Sequence, residues 1–349
     1  MIPVREKTVV LGMSGGVDSS TAVYLLKEQG YRVIGLTMDI GISPTLTREA
    51  KAVAESFAIE HQVIDLREEF HSEVIEPFIE EYLNGRTPNP CVLCNRRIKF
   101  GKFFSEMEKL GADYLATGHY ARIIENEGEF SLAKGRDDKK DQSYFLYGLG
   151  RENLSRILFP LGELTKDEVR TLAQKIGLSV AEKKDSQEIC FLPDNDYRAF
   201  LVREKGRGFA PEGDFVDPEG KKLGRHEGLP FYTIGQRKGL GLALGYPAYV
   251  LSLNKKDNTV EIGTNEALFR KELLVKDNIL LSAELFAESA IEEAEVKIRS
   301  TGKAEKATLT KLEDGRIRVE FAKPQRAITP GQSAVYYLHD IVLGGGIIE

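Results

Sequence analysis

An alternation constrains this chain more than any single residue does. From Thr8 to about Lys205, short apolar runs that suit buried strands take turns with amphipathic stretches that suit helices. Thr8–Met13, Arg32–Met38, Gln62–Leu66 and Asp113–Thr117 are the strand candidates, and Ser19–Gln29, Leu46–Phe57, Phe70–Leu83 and Leu93–Leu110 the helix candidates. Gly30 stops the first helix, and the stretch from Thr165 to Glu168 is a capping box opening a helix that ends near Gly177. Such a pattern predicts an α/β domain, a doubly wound parallel sheet with covering helices, over residues 1–205. Beyond Lys205 helical periodicity is scarce. Turn signals at Pro218 to Gly220, Lys238-Gly239, Asp257-Asn258 and Asp314-Gly315 punctuate short alternating runs, predicting two small, mainly β domains at 206–270 and 271–349, the last barrel-like. The acidic run from Ala283 to Glu295 reads as solvated surface rather than helix.

Composition excludes several classes. With 42% hydrophobic and 29% charged residues the chain is neither disordered nor fibrous. No run of 18 apolar residues exists, and the run from Thr8 to Met13 is too short for a signal h-region, so the expected location is the cytoplasm, with no membrane anchor. The formal net charge is −6. A nucleic-acid surface therefore has to be built from local clusters: Arg96, Arg97, Lys99 and Lys102; Lys134, Arg136, Lys139 and Lys140; Arg203, Lys205 and Arg207; Lys221, Lys222 and Arg225; Arg237 and Lys238. Three cysteines are too few, and odd in number, for a disulfide framework, so they point to a reducing compartment and to thiols kept for chemistry or metal.

Between the first strand and the first helix lies Ser14-Gly15-Gly16-Val17-Asp18-Ser19-Ser20. A helix start presents unpaired N–H groups and a positive dipole end, and two glycines let backbone approach an anion closely. Ser14, Ser19 and Ser20 add hydroxyls, and Asp18 is a candidate ligand for Mg²⁺ beside phosphates. A serine-capped tight turn is the plainer reading of two glycines alone. The Walker pattern is absent, because no Gly-Lys pair is followed by Ser or Thr. The string resembles instead the pyrophosphatase loop of enzymes that cleave ATP between its α and β phosphates and activate a carbonyl oxygen as its adenylate.

Cys91 and Cys94 form a Cys-x-x-Cys pair at a helix start after Pro90, and Cys190 follows about a hundred residues later. The helix start and Arg96, Arg97 and Lys99 would favour thiolates there. Inert burial, a redox pair and metal ligation are the competing readings. Zinc is weak, since only one local pair is present. Joined with the ATP loop, the thiols suggest sulfur transfer, in which a persulfide displaces the activated oxygen and a second thiol releases the sulfur by forming a disulfide.

The strings Gly12 to Ser19, Gly85 to Pro90, Cys94-Asn95 with Ile98 to Phe100, Ala116 to Arg122, Lys140 to Phe145, Asp185-Ser186, Ile189 to Phe191, Gly235 to Gly241, Ile328 to Gln332 and Leu343 to Glu349 resemble, in order and from end to end, the bacterial tRNA 2-thiouridylases. The resemblance implies an ATP-dependent sulfurtransferase that replaces the C2 oxygen of the wobble uridine with sulfur and releases AMP and pyrophosphate. It implies Cys94 as attacking thiol and Cys190 as persulfide carrier. Gly12, Met13, Ser14, Gly15, Gly16, Val17, Asp18, Ser19, Met38 and Gly118 match ATP-holding positions. Asn89, Pro90 and Cys91 match the target-base segment, and His119, Lys140, Asp141, Gln142, Arg299, Ser300 and Gln332 match tRNA-contacting positions. The implied cofactor is ATP with Mg²⁺, and the implied partners are the tRNA anticodon stem-loop and a persulfide donor such as a cysteine desulfurase or relay protein.

Cys91 departs from the pattern. Many members carry Asp there, proposed to handle protons, and a thiol of pKa ~8.5 is a poor substitute for a carboxylate of pKa ~3.9. The third thiol also raises the alternative of a [4Fe–4S] cluster on Cys91, Cys94 and Cys190, with one iron open for hydrosulfide. A small-molecule ATP pyrophosphatase synthetase would use the same loop but leave the cysteines idle. A non-catalytic RNA-binding protein would use the loop only as a nucleotide switch.

Overall fold

The computed structural model describes residues 6–183, 189–192, 195–287 and 290–349; Asp185 and Ser186 lie outside these. The chain divides into two compact units. The first runs to Val74, resumes over Cys91–Phe191 and takes in Asp340–Val342; the second comprises Ile75–Pro90, Leu192–His339 and Leu343–Glu349.

In the first unit, β1 (Thr8–Gly12), β2 (Arg32–Asp39), β3 (Glu60–Asp65), β4 (Tyr114–Thr117) and β7 (Ile157–Leu158) form a parallel sheet in the order β3-β2-β1-β4-β7. The order turns back at β1, so the chain leaves β1 and β4 in opposite directions and opens a crevice at their C-terminal ends, where ligands of such sheets bind. α1 (Val17–Glu28) and α2 (Pro44–Ser56) connect the first three strands. Val9, Leu11, Ala22, Val23, Leu26, Val53, Ala54 and Ala116 pack as one core cluster. This is the predicted α/β sheet. Between β4 and β7 the sequence reading missed a hairpin, β5 (Ala121–Asn126) and β6 (Glu129–Lys134), whose turn is made by Glu127 and Gly128, both at positive φ. α7 (Lys166–Lys175) starts at the expected capping box and stops at Gly177, φ +71.

Two expected α-helices are not wholly α. The stretch from Arg67 to Leu83 contains a π-helical segment, His71–Ile75, between α3 (Arg67–Phe70) and α4 (Glu76–Leu83). Pro77 sits in the first turn of α4, where its missing N–H costs least, and the wide turn before it takes up the mismatch. The second runs from α5 (Pro90–Leu93) through a nine-residue π segment, Cys94–Lys102, into α6 (Phe103–Lys109).

In the second unit, α8 (Tyr197–Lys205) stacks Tyr197 on Tyr82 of α4, centroids 4.6 Å apart. β8 (Gly213–Val216), β9 (Lys222–His226), β10 (Tyr249–Asn254) and β11 (Thr259–Gly263) make a small sheet over Phe215, Tyr232, Val250, Val260 and Ile262. β12 (Phe269–Leu280), β13 (Ile291–Lys297), β14 (Glu305–Lys311), β15 (Ile317–Arg326), β16 (Ser333–Leu338) and β17 (Ile341–Ile348) follow in the order β12-β15-β14-β13-β16-β17, and β17 pairs back to β12 to close a barrel. The run from Ala283 to Glu295, expected as solvated surface, contains a 3₁₀ turn (Ala283–Ala287) and the start of β13, because Ala294 and Val296 alternate inward among the acids. Among the described residues no helix is long and apolar enough to cross a membrane.

Candidate active site

The glycine-rich turn follows β1 directly. Gly15 has φ +69, and a Cβ there would stand 2.7 Å from the Glu49 Cβ and 2.9 Å from the Ala50 N, so only glycine fits. Gly16 is the N-cap of α1 and, as a glycine, has no side chain with which to cap the helix's first amides. The serine cap of the plainer reading is therefore not made. The Ser20 hydroxyl donates backward to the Gly16 carbonyl at 2.8 Å, while the Ser14 N–H donates to the Ser19 Oγ at 3.3 Å. A helix start without a side-chain cap, directly after a strand of a parallel sheet, is the equipment of an anion site. Gly118, just past β4, presses on this turn: a Cβ on it would lie 3.1 Å from the Ser19 N. Met13 is fixed between strands, its N–H donating to the Leu36 carbonyl at 2.8 Å and its carbonyl accepting from the Thr37 hydroxyl at 3.0 Å. Met38 lies half-buried one residue before the end of β2. The expected ATP positions thus converge on one crevice of the first unit.

Asp18 is a different matter. The Lys166 ammonium donates to its two carboxylate oxygens at 2.7 and 2.9 Å, and the Tyr120 hydroxyl donates to Oδ1 at 2.8 Å. Both carboxylate oxygens of Asp18 are thus engaged by protein donors. Neither Lys166 nor Tyr120 was singled out in the sequence. Lys166 was visible only as the first residue after a helix cap.

The thiols also belong to the first unit. Cys94 opens the π segment and is buried, Cys91 is half-buried, and Cys190 is exposed at its surface. Contrary to the thiolate expectation, burial pushes the pKa of Cys91 and of Cys94 up, with Lys99 opposing in both cases. The helix start does not overcome desolvation. Cys190 keeps open surface yet is surrounded closely enough that burial, then the charges of Cys94 and Cys91, push it up to about 12. The charges of Cys94 and Cys91 are thus felt at Cys190. Phe191 packs edge-on against Phe70, centroids 5.8 Å apart, and fixes the chain next to Cys190. Asn95, 3% exposed, donates to the Phe145 carbonyl at 3.1 Å and holds the π segment in place.

Among the described residues no three His, Cys, Asp or Glu side chains gather as a metal-holding group.

The positions matched to tRNA contacts divide by role. His119 is buried against Phe100 and Phe159, with its Nδ1 2.7 Å from the Thr117 hydroxyl, and burial and then Lys99 lower its pKa well below the usual range, leaving it neutral. Asp141 accepts from the Gly135 and Ser143 N–H groups, and Gln142 accepts from the Tyr120 N–H, so both shape the loop that also carries the half-buried Lys140. In the second unit, the Gln332 amide donates to the carbonyls of Thr87 (2.9 Å) and Pro88 (3.3 Å), and the Thr87 N–H donates to the Pro330 carbonyl at 2.9 Å. Gln332 thereby fixes the segment that carries Asn89 and Pro90. Arg299 donates to the carbonyls of Arg326 and Ala327, with Ser300 half-buried beside it. The basic clusters are partly neutralised: Lys102 pairs with Glu69 and Glu73, Lys222 and Arg225 with Asp214, and Arg136 with Glu168. Arg96, Arg97, Arg237 and Lys238 are exposed.

Comparison with known proteins agrees over the whole chain. A model of the tRNA methyl transferase HUP domain matches residues 7–194, one of the tRNA methyl transferase PRC-barrel domain residues 199–264, and one of the aminomethyltransferase beta-barrel domain residues 270–348. The tRNA-specific 2-thiouridylase MnmA 2 of Clostridium botulinum is 49% identical over 99% of both chains. The tRNA-specific 2-thiouridylase MnmA 1 of Caldanaerobacter subterraneus is 49% identical over 98% of this chain and 97% of its own. Among solved structures, an NH3-dependent NAD synthetase from Campylobacter jejuni matches 58% of this chain and 78% of its own at 20% identity, TM-score 0.33. Full-length agreement with these relatives leads to one assignment: the chain belongs to the tRNA-specific 2-thiouridylase family.

Proposed function

We propose that this enzyme thiolates C2 of the wobble uridine of tRNA by an ATP-activated persulfide relay. ATP sits with its phosphates on the turn from Gly12 to Ser19, bounded by Met38 and Gly118. The C2 oxygen attacks the α-phosphate, pyrophosphate leaves, and the base carries an adenylate. A donor protein first leaves a persulfide on Cys190. The terminal sulfur of that persulfide attacks C2, and AMP departs with the former carbonyl oxygen. Cys94, as thiolate, then attacks the Cys190 Sγ. The S–S bond to the transferred sulfur breaks, its electron pair stays on that sulfur as the new thiocarbonyl forms, and Cys94 and Cys190 are left as a disulfide for an external thiol reductant to reopen.

The observation that carries this reading is that Cys91, Cys94 and Cys190 belong to the same compact unit as the turn at the start of α1, with the charges of Cys94 and Cys91 felt at Cys190. A thiol pair meant for exchange has to be neighbours. Raised thiol pKa values fit a site that waits for substrate, since a protonated thiol neither attacks nor oxidises readily. Asn89 and Pro90 form a wall for the flipped uridine, and Lys140, Arg299 and the exposed Arg96 and Arg97 meet phosphates of the anticodon stem-loop. Cys91 has no step in this relay.

The test is thiolation of a tRNA transcript with ATP and a persulfide source, run with Cys91, Cys94 and Cys190 each replaced by serine. The relay predicts loss at Cys94 and Cys190 and retention at Cys91. Equal loss at all three, with iron bound after anaerobic reconstitution, would replace it by cluster chemistry.

A further inference from the structure

Lys166 is 7% exposed, although lysine is among the residues least often buried. Burying an ammonium costs several kcal/mol unless a partner offsets it. Its place adds to that cost, because Lys166 is the first residue of α7, at the positive end of the helix dipole, where anions are preferred. Its backbone N–H is already used, donating to Asp137 at 2.9 Å. The side chain crosses to a residue 148 positions away and bonds both oxygens of Asp18. Asp18 is the second residue of α1, whose N-cap, Gly16, has no side chain to cap with.

That crevice is also short of positive charge. A triphosphate brings several negative charges, and the turn lacks the lysine that a Walker loop carries in its own sequence. The Lys166 ammonium stands one hydrogen bond from a side chain of that turn. An ammonium has three donors, enough to keep a bond to Asp18 while making one to a phosphate oxygen.

We propose that Lys166 is the cation of the phosphate site, held by Asp18 beside the uncapped turn so that the β- and γ-phosphates of ATP meet it on entry. The proposal rests on the reading of the turn as the ATP site. Tyr120, donating to the same Asp18 oxygen, fixes the carboxylate and thereby the ammonium.

The experiment measures equilibrium binding of ATP, pyrophosphate and adenosine to the full-length wild type and to Lys166→Met, Lys166→Arg and Ser14→Asp, with thermal denaturation of each. Lys166→Met is expected to weaken ATP and pyrophosphate about tenfold or more while adenosine is unchanged, and Lys166→Arg to restore most of the loss. Unchanged ATP affinity with a lowered Tm would overturn the proposal, leaving Lys166 as a tie between α7 and α1; so would an equal loss for ATP and adenosine. Should Lys166→Met fail to fold, Lys166→Gln keeps a donor for Asp18 and removes the charge, and the same outcomes decide. Ser14→Asp puts a carboxylate at the exposed start of the turn. If it weakens ATP and Lys166→Met does not, only the role of Lys166 falls. If neither does, the turn is not the phosphate site and the reading beneath falls too.

Discussion

The glycine-rich turn and the thiol helix lie in the same unit but stand in opposite states of readiness. In the turn the backbone is fixed by Gly15 at φ +69, Gly118 presses on α1 from the neighbouring strand, and the N-cap, Gly16, has no side chain to cap the helix. Nothing need move for a phosphate to be bound. Around Cys94 burial dominates: the thiol is covered, its pKa is raised, and the nearby His119 is held neutral. On the proposed relay, the difference would keep activation and transfer apart. An ATP site can be preformed because phosphates are charged and steer themselves in, whereas a thiolate left standing would oxidise or react with the wrong electrophile.

The largest test of this separation removes the transfer half alone. Cys94→Ser or Cys190→Ser should lower thiolation by about a thousandfold or more, while tRNA-dependent pyrophosphate release from ATP persists. Loss of pyrophosphate release in the same variants would mean that the two regions are not separable.

Proton affinity gives the next largest effect. With Cys190 near 12 against ~8.5 for an unperturbed thiol, its alkylation at pH 8 should run at least a hundredfold slower than that of a model thiol, and should accelerate when tRNA and ATP are added. The same shift fixes a stability trend. The native state holds the proton more tightly than the unfolded chain, so the contribution of this group is fully present below about pH 8.5 and is lost as pH rises toward 12. Denaturation midpoints followed from pH 8 to 11 should fall less steeply in Cys190→Ser, and identical slopes would remove the shift.

The preformed half responds to shape. Gly15→Ala forces a Cβ against Glu49 and Ala50 in a left-handed backbone, a cost of about 1–3 kcal/mol, read as a drop in Tm together with loss of ATP binding. The smallest change belongs to the second unit. Gln332→Ala deletes two hydrogen bonds to the Thr87 and Pro88 carbonyls, about 1 kcal/mol each, and should raise KM for tRNA several-fold with little change in KM for ATP. A shift in the ATP constant instead would show that the Asn89 segment reports on the nucleotide.

Much of this was legible before any coordinates, for definite reasons. Strand and helix periodicity reports burial on one face, so β1 to β4 and α7 were found close to their true limits. Glycines at a strand-to-helix junction have few uses, and the turn after β1 was read as a phosphate site from its glycines, its serines and its place. What sequence could not carry was long-range pairing. Lys166 is an ordinary helix-start lysine until its distance to Asp18 is known. Gln332 and Asp141 are polar residues in loops, and a sequence does not say whether such a side chain points at a ligand or at its own backbone. The thiol pKa values were misjudged because nearby cations can be counted along a chain and burial cannot. The β5–β6 hairpin was missed because its two strands carry as many polar as apolar residues.

The π segment from Cys94 to Lys102 sets a phase. An α-helix advances about 100° per residue, so the direction in which the first side chain of a run points is tied to the number of residues before the next anchored turn. Here Phe103, Phe104 and Met107 anchor α6 in the core downstream. Losing one residue from the widened stretch would let it close into regular α-helix without disturbing that anchor. The widening thus fits one more residue between Cys94 and that anchor than regular α-helix would for a similar bearing. The widened stretch acts as an angular spacer, so the residue count between Cys94 and Phe103 bears on the direction in which the Cys94 side chain leaves the helix.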